Sequence, residues 1–240
     1  LFIIYINDIT EGLDSEILIF ADDCTLLVSA DDPTQCTKIL NNDLEKIGSW
    51  ARTWKITFNA NKSKDIIFSR KYLNNSPPII FNNEYISRVN TVKHLGIYLT
   101  SNLDWTIQIY NVCLRANIKL SVLRQVRNLQ RSTLDLLYKI TVRSVLDYGL
   151  FVYFHNLNQL DIAKLNKIQY RAAKLVTGTL HYTSREKLEA ELGWQTMKHR
   201  ADYRGLSLYH KVHCNNTRPL IKSCMPVINT RVKDLRSKIV

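Results

Sequence analysis

Ile17-Leu18-Ile19-Phe20-Ala21-Asp22-Asp23-Cys24-Thr25-Leu26-Leu27-Val28 sets two apolar runs around an acidic pair. Short β-rich runs flanking a tight polar break predict a β-hairpin over residues 17–29, with Asp22 and Asp23 at its bend. Two carboxylates among apolar neighbours repel each other and lose hydration. A divalent cation relieves both by turning repulsion into coordination. Hard oxygen ligands suit Mg²⁺, which takes one or two carboxylates and fills its other positions with water and substrate phosphates. That donor set belongs to two-metal phosphoryl transfer. The dipeptide by itself also fits a solvated hairpin turn, because Asp is a common turn residue.

The blocks downstream narrow the choice. Trp50 is followed by Trp54-Lys55-Ile56, Phe58-Asn59 and Lys62-Ser63-Lys64. Val92-Lys93-His94-Leu95-Gly96-Ile97 runs on to Leu103-Asp104-Trp105. Then come Leu137-Tyr138-Lys139, Tyr148-Gly149, Leu165 with Ile168-Gln169, Arg171-Ala172, Thr177-Gly178 and Glu191-Leu192-Gly193-Trp194. In this order and at this spacing the chain resembles the reverse transcriptases of non-LTR (LINE-type, jockey-like) retrotransposons. Phe20-Ala21-Asp22-Asp23 is similar to their catalytic signature. The block from Trp50 to Lys64 resembles the palm segment after the catalytic hairpin, and Val92–Trp105 the primer-grip segment.

The resemblance implies an α+β chain. Residues 1–105 are expected to form the distal half of a right-hand polymerase palm, an antiparallel hairpin with a helix. Residues 106–240 are expected to form an α-helical thumb and extension. It implies RNA-directed DNA synthesis with two Mg²⁺ ions, an RNA template, a DNA primer and deoxynucleoside triphosphates. Asp22 and Asp23 are then the metal ligands and Lys62 the lysine that assists the leaving pyrophosphate. His94, Leu95 and Gly96 form the turn of the primer grip. In the family, fingers, a P-Q-G segment and a strand with a third metal-binding Asp come before this region. The chain is therefore expected to be a carboxy-terminal fragment, inactive alone. The alternative is a nucleic-acid-binding remnant without catalysis.

Charge agrees with an anionic partner. The 240 residues are 45% hydrophobic and carry net +12, which is enough apolar content for a core and argues against global disorder. Residues 1–69 hold 6 Lys+Arg against 11 Asp+Glu, net −5, whereas residues 70–240 hold 27 against 10, net +17. An acidic site beside a basic half suits a protein that holds cations in one part and grips phosphates in another. A generically basic surface gives the same totals.

Five cysteines, Cys24, Cys36, Cys113, Cys214 and Cys224, form no C-x-x-C and no even framework, which points to a reducing, intracellular compartment, nucleus or cytoplasm, and not to secretion. His210, His213, Cys214 and Cys224 are the nearest approach to a zinc set, but their spacing matches no standard finger. No run reaches membrane-spanning length.

Periodicity supplies the rest. Residues 1–9 read as a helix end. Asp32-Pro33 reads as an N-cap and first turn. From there Cys36, Leu40, Leu44, Ile47, Ala51 and Trp54 mark one buried helical face. Strands are predicted over residues 56–58, 66–68, 79–81, 85–86 and 92–99, with Asn74-Asn75-Ser76-Pro77-Pro78 as a loop. In 107–131 the apolar stripe is Leu114, Ile118, Val122, Val126 and Leu129, with Arg115 and Lys119 flanking it and Arg124, Arg127 and Arg131 largely opposite. In 160–177 Lys164, Lys167, Arg171 and Lys174 share one face beside Leu165, Ile168, Ala172 and Leu175. Four like charges on one face suit a nucleic-acid backbone, although a solvated face has the same pattern. Gly178 fits a helix end, and Thr183 with Glu186 a capping box.

Overall fold

A computed structural model describes residues 5–69, 76–179 and 182–214. The chain divides into two compact units, Leu1–Asp104 and Trp105–Val240. It mixes helices with small, mostly antiparallel sheets, an α+β composition as expected.

The first unit begins with a 3₁₀ turn, Asn7–Thr10, where a helix end was expected; the start of that expected segment lies outside the described residues. Strands β1 (Glu16–Phe20) and β2 (Asp23–Leu27) pair antiparallel as the predicted hairpin. Helix α1 (Pro33–Trp54) starts as predicted, since the Asp32 side chain accepts from the Thr34 amide and Pro33 opens the first turn. Its inner face carries Ile47, Gly48 and Ala51, with Leu44 and Trp50 half-buried at its edge. Ile6, Ile9, Ile47, Ala60 and Phe81 form the core, and Ile17, Ile19, Cys24 and Leu26 of the hairpin pack on it.

Two expectations for this unit fail. Trp54 is 39% exposed, not buried. It stands in the last turn, where Lys55 bends into a left-handed conformation at φ 56°, so the buried face ends before it. Instead Trp54 stacks edge-on against Tyr5, 5.1 Å between ring centres. The strands expected over 56–58 and 66–68 are irregular. The ladder runs through β3 (Lys64–Asp65), which pairs parallel with β6 (Ser87–Arg88). Between them, β4 (Ile80–Phe81) and β5 (Glu84–Tyr85) make a second small hairpin. The run 92–99 is two strands, β7 (Thr91–His94) and β8 (Ile97–Thr100), joined by a turn at Leu95-Gly96.

Among the described residues the second unit contains helices and no strand. Its elements are α2 (Thr106–Gln125), α3 (Arg131–Tyr138), α4 (Ser144–Asp147), α5 (Leu150–Tyr153), α6 (Gln159–Thr177), α7 (Arg185–Leu192) and α8 (Met197–Cys214), with a π segment at Lys139–Arg143. Helix α6 follows its expected pattern, with Leu165, Ile168 and Ala172 buried and Gly178 closing it at φ 67°; its start is capped by Asn158. Helix α7 is capped by Ser184, whose hydroxyl accepts from Lys187 N–H, one residue later than the Thr183 box predicts.

Helix α2 reverses the expected face. Ile109, Val112, Ala116, Leu120 and Leu123 are buried, whereas Leu114, Ile118, Val122, Val126 and Leu129 are exposed, Ile118 by 56%. Both faces of this helix are apolar, so spacing alone does not choose between them. The buried face has Ala116 at its middle, which lets α6 approach closely.

Aromatic and ionic contacts lock the helices. Tyr138 stacks on Trp194 at 4.1 Å, and Trp194 Nε1 donates to Asp135 Oδ1 at 2.7 Å. Burial pushes the Tyr153 phenol up to about 12. Asp147 is buried and binds Arg200 at 2.8 Å and Arg143 at 3.3 Å, while its carbonyl accepts from Arg204 at 3.0 Å.

Candidate active site

The register Phe20↔Asp23 leaves Ala21-Asp22 as a two-residue turn. Ala21 holds φ 53°, a left-handed conformation that hairpin turns of this length require and that usually selects Gly. Forcing it on an L residue costs about 1–2 kcal/mol, so the packed strands on either side must hold the bend. Alternation then fixes what faces out: Ile17 and Ile19 face the core, while Glu16, Leu18, Phe20, Asp23 and Leu27 are exposed, Phe20 by 65%.

Asp22 and Asp23 therefore stand side by side at an exposed tip. The expectation that apolar neighbours desolvate them is incorrect, because the bend lies beyond the packed face. Their charge still reaches inward. Burial, and then the carboxylates of Asp23 and Asp22, push the Cys24 thiol up, so it stays protonated at neutral pH. Two adjacent, hydrated carboxylates fit the water-rich coordination of Mg²⁺, but they are no closed cage. Among the described residues no group of three or more His, Cys, Asp or Glu is arranged to hold a metal. The zinc set is reduced likewise: Cys214 Sγ lies 3.4 Å from His210 Nε2, and Cys224 falls outside the described residues.

Lys62 sits in an exposed turn whose shape comes from Asn59, the Lys62 amide donating to Asn59 O at 3.2 Å and to Asn59 Oδ1 at 3.1 Å. No hydrogen bond or ion pair joins Lys62 to either aspartate among the described residues. His94-Leu95-Gly96 is the tip of the β7–β8 hairpin, with Leu95 at φ 45° and Gly96 at φ 83°. Both turn residues are left-handed, which glycine meets without cost at the second position.

The α6 stripe is less free than its spacing suggests. Lys164 is tied to buried Asp161 at 2.7 Å, and Lys174 lies over the Tyr170 ring at 4.5 Å. Lys167 and Arg171 are exposed. Helix α2 and the segment after it carry a second basic set, of which the sequence placed Arg115 and Lys119 beside the apolar stripe and Arg124 and Arg127 largely opposite it. Residues 105–134 contain no Asp or Glu, and Arg115, Lys119, Arg124 and Arg127 are all exposed.

Asp43 was missed altogether. It is wholly buried on α1 and receives the backbone N–H groups of Asp14 and Ser15, the latter at 2.7 Å. Lys46 Nζ lies 3.0 Å from it and also donates to Gly12 O at 2.7 Å. The signal was an acidic residue on the same helical face as Leu40, Leu44 and Ile47. Burial alone would raise the Asp43 carboxyl, but the donors from Ser15, Asp14 and Lys46 outweigh it and hold the group below the usual carboxylate range. A depressed carboxyl stabilises the fold above its unfolded value and loses that contribution as pH falls through its folded one. Lys46 is raised, so its contribution is complete below its ordinary value of 10.5 and is lost only as pH rises through its folded value. Hydrogen-exchange protection of the Asp14 and Ser15 amides should thus stay level from neutral pH down to the ordinary carboxyl value of 3.8 and fall only in stronger acid.

No protein-family model and no solved structure matches the chain. Curated relatives do. The chain is 27% identical over 197 residues, 78% of its length, to "RNA-directed DNA polymerase from mobile element jockey" of Drosophila funebris, of which it covers 21%. It is 24% identical over 184 residues to "Probable RNA-directed DNA polymerase from transposon X-element" of Drosophila melanogaster, covering 74% of this chain and 20% of that one. It is 26% identical over 189 residues to "Retrovirus-related Pol polyprotein from type-1 retrotransposable element R1" of Bradysia coprophila, covering 74% and 19%. The chain thus spans about a fifth of the length of these relatives. With its acidic hairpin and the ordered blocks that follow, it is a relative of the RNA-directed DNA polymerases of non-LTR retrotransposons.

Proposed function

We propose that this chain carries the metal-binding hairpin and the nucleic-acid grip of an RNA-directed DNA polymerase that extends a DNA primer on an RNA template with deoxynucleoside triphosphates. The observation that supports it most is the exposed Asp22-Asp23 pair on a strained two-residue turn, in a chain whose relatives bear that activity. Asp22 and Asp23 would hold Mg²⁺. When bound, the metal neutralises phosphate charge and favours the ionised primer hydroxyl. Lys62 neutralises the departing pyrophosphate and can give it a proton. The His94-Leu95-Gly96 turn lies along the primer strand. In the first unit this is the palm; the second unit is the thumb. The α6 stripe of Lys164, Lys167, Arg171 and Lys174, through Lys167 and Arg171 above all, and the basic set of α2 bind backbone phosphates. The outward apolar side chains of α2, including Tyr110, Leu114 and Ile118, lie against the duplex between those contacts. The working compartment is intracellular. Among the described residues no helix is long and apolar enough to cross a membrane.

A second reading rests on one observation. No third acidic side chain joins the pair among the described residues, and that favours binding without catalysis by these 240 residues alone. Primer extension on an RNA template with Mg²⁺ separates the two. No incorporation is expected from this chain by itself, while it retains duplex binding at low salt. Incorporation that vanishes in Asp22→Ala would show a self-sufficient site. Failure to bind primer–template at low salt would overturn both readings.

A further inference from the structure

An isolated two-stranded hairpin is marginal in water, so something outside it must fix where its tip points. The apolar face of β1–β2 holds the inward alternation of the strand, but it leaves the strand freer to shift along α1. A slip of one residue would turn Ile17 and Ile19 outward and swing Phe20 and the acidic pair with them. The contact that fixes the strand's position along α1 is polar and directional. Asp43 accepts from two consecutive amides, Asp14 at 3.0 Å and Ser15 at 2.7 Å, and β1 begins at the next residue. Because the carboxylate is 0% exposed, no water can substitute for these donors. Lys46 closes the other side by bridging Asp43, Asp14 at 3.1 Å and the Gly12 carbonyl. Helix α1 thus grips residues 12–15 from one turn, and Asp8 with Trp50 Nε1, at 3.1 Å, ties the preceding turn to the same helix.

We propose that Asp43 is the positioning residue of the candidate active site: it pins the register of β1 against α1 and so holds Asp22 and Asp23 where a divalent cation takes both. The inference rests on the metal reading of that pair. Asp43 touches no metal or substrate and acts only through the strand. A group bonded directly to a metal ligand is worth about 10- to 100-fold in metal affinity, and Asp43, acting through the strand, is expected at the lower end.

Mn²⁺ serves as the probe, read by paramagnetic broadening of the hairpin amides in the full 240-residue chain. Asp43→Asn keeps the shape and one acceptor oxygen but loses the second acceptor and the charge. It should weaken Mn²⁺ binding by about tenfold while the helical unit keeps its circular dichroism. Lys46→Met is the milder variant if Asp43→Asn does not fold, and should weaken binding in the same direction. Asp8→Ala removes the acceptor of Trp50 Nε1, loosens the same segment without touching the strand start, and should leave affinity unchanged. If wild type binds Mn²⁺, Asp22→Ala abolishes binding, and Asp43→Asn or Lys46→Met changes only amide exchange, Asp43 is merely structural and the inference is wrong. Equal loss in Asp8→Ala and Asp43→Asn overturns it too. If wild type shows no broadening at the hairpin, the metal reading fails first and takes the inference with it.

Discussion

Asp147→Ala should destabilise the helical unit by about 3–5 kcal/mol, because it strands a buried charge. Arg200 is only 4% exposed and its Nε donates to Asp147 at 2.8 Å. Its Nη1 reaches the Gln195 carbonyl, which cannot neutralise it. Arg143 and Arg204 approach the same carboxylate at 3.3 Å and 3.7 Å, so the substitution leaves three guanidinium groups facing one another. The pair is not thereby a large net source of stability, since bringing two ions out of water costs several kcal/mol each. The test is the asymmetry. Urea unfolding followed by Trp194 fluorescence should show Asp147→Ala worse than the double variant Asp147→Ala with Arg200→Met. That non-additivity marks two groups in one network. A loss under about 1 kcal/mol for Asp147→Ala would mean that the cluster is hydrated and open, contrary to its burial.

Replacing Arg115, Lys119, Arg124 and Arg127 with Gln should weaken primer–template binding by about three decades at 0.1 M salt and flatten the slope of log affinity against log salt by about four units. Counterion release gives roughly −0.9 per neutralised phosphate on a B-form duplex. A hybrid changes the constant for all variants alike, so the comparison between sites stands. The matching change of Lys164, Lys167, Arg171 and Lys174 should flatten the slope by only about two units. Lys164 is already neutralised by Asp161, and Lys174 rests on Tyr170. Unrelated sequences should respond equally, because backbone contacts carry no base information. Lys198 with Lys222, Lys233 and Lys238, the last three outside the described residues, serves as a control of equal charge. If all three quartets act alike, net charge alone is at work and neither helix is a docking surface.

The amino-acid sequence by itself determined the local elements whose signals lie within a few residues. The apolar runs around Asp22-Asp23 specify the hairpin, Asp32-Pro33 the start of α1, and Gly178 the end of α6. Motif order alone also pointed to the polymerase relatives that the curated matches give. Such features are legible because capping, alternation and turn chemistry act between near neighbours. Three matters were left to tertiary structure. Helix α2 is apolar on two faces, and only the helices around Ala116 select which one is covered. Trp54 loses its place in the core because the chain turns left-handed at Lys55 before the face is complete. Asp43, Asp147 and Arg200 read as ordinary surface charges until distant backbone amides and guanidinium groups are folded against them. A buried charge depends on partners 28 to 53 residues away, and periodicity carries no record of contacts at that range.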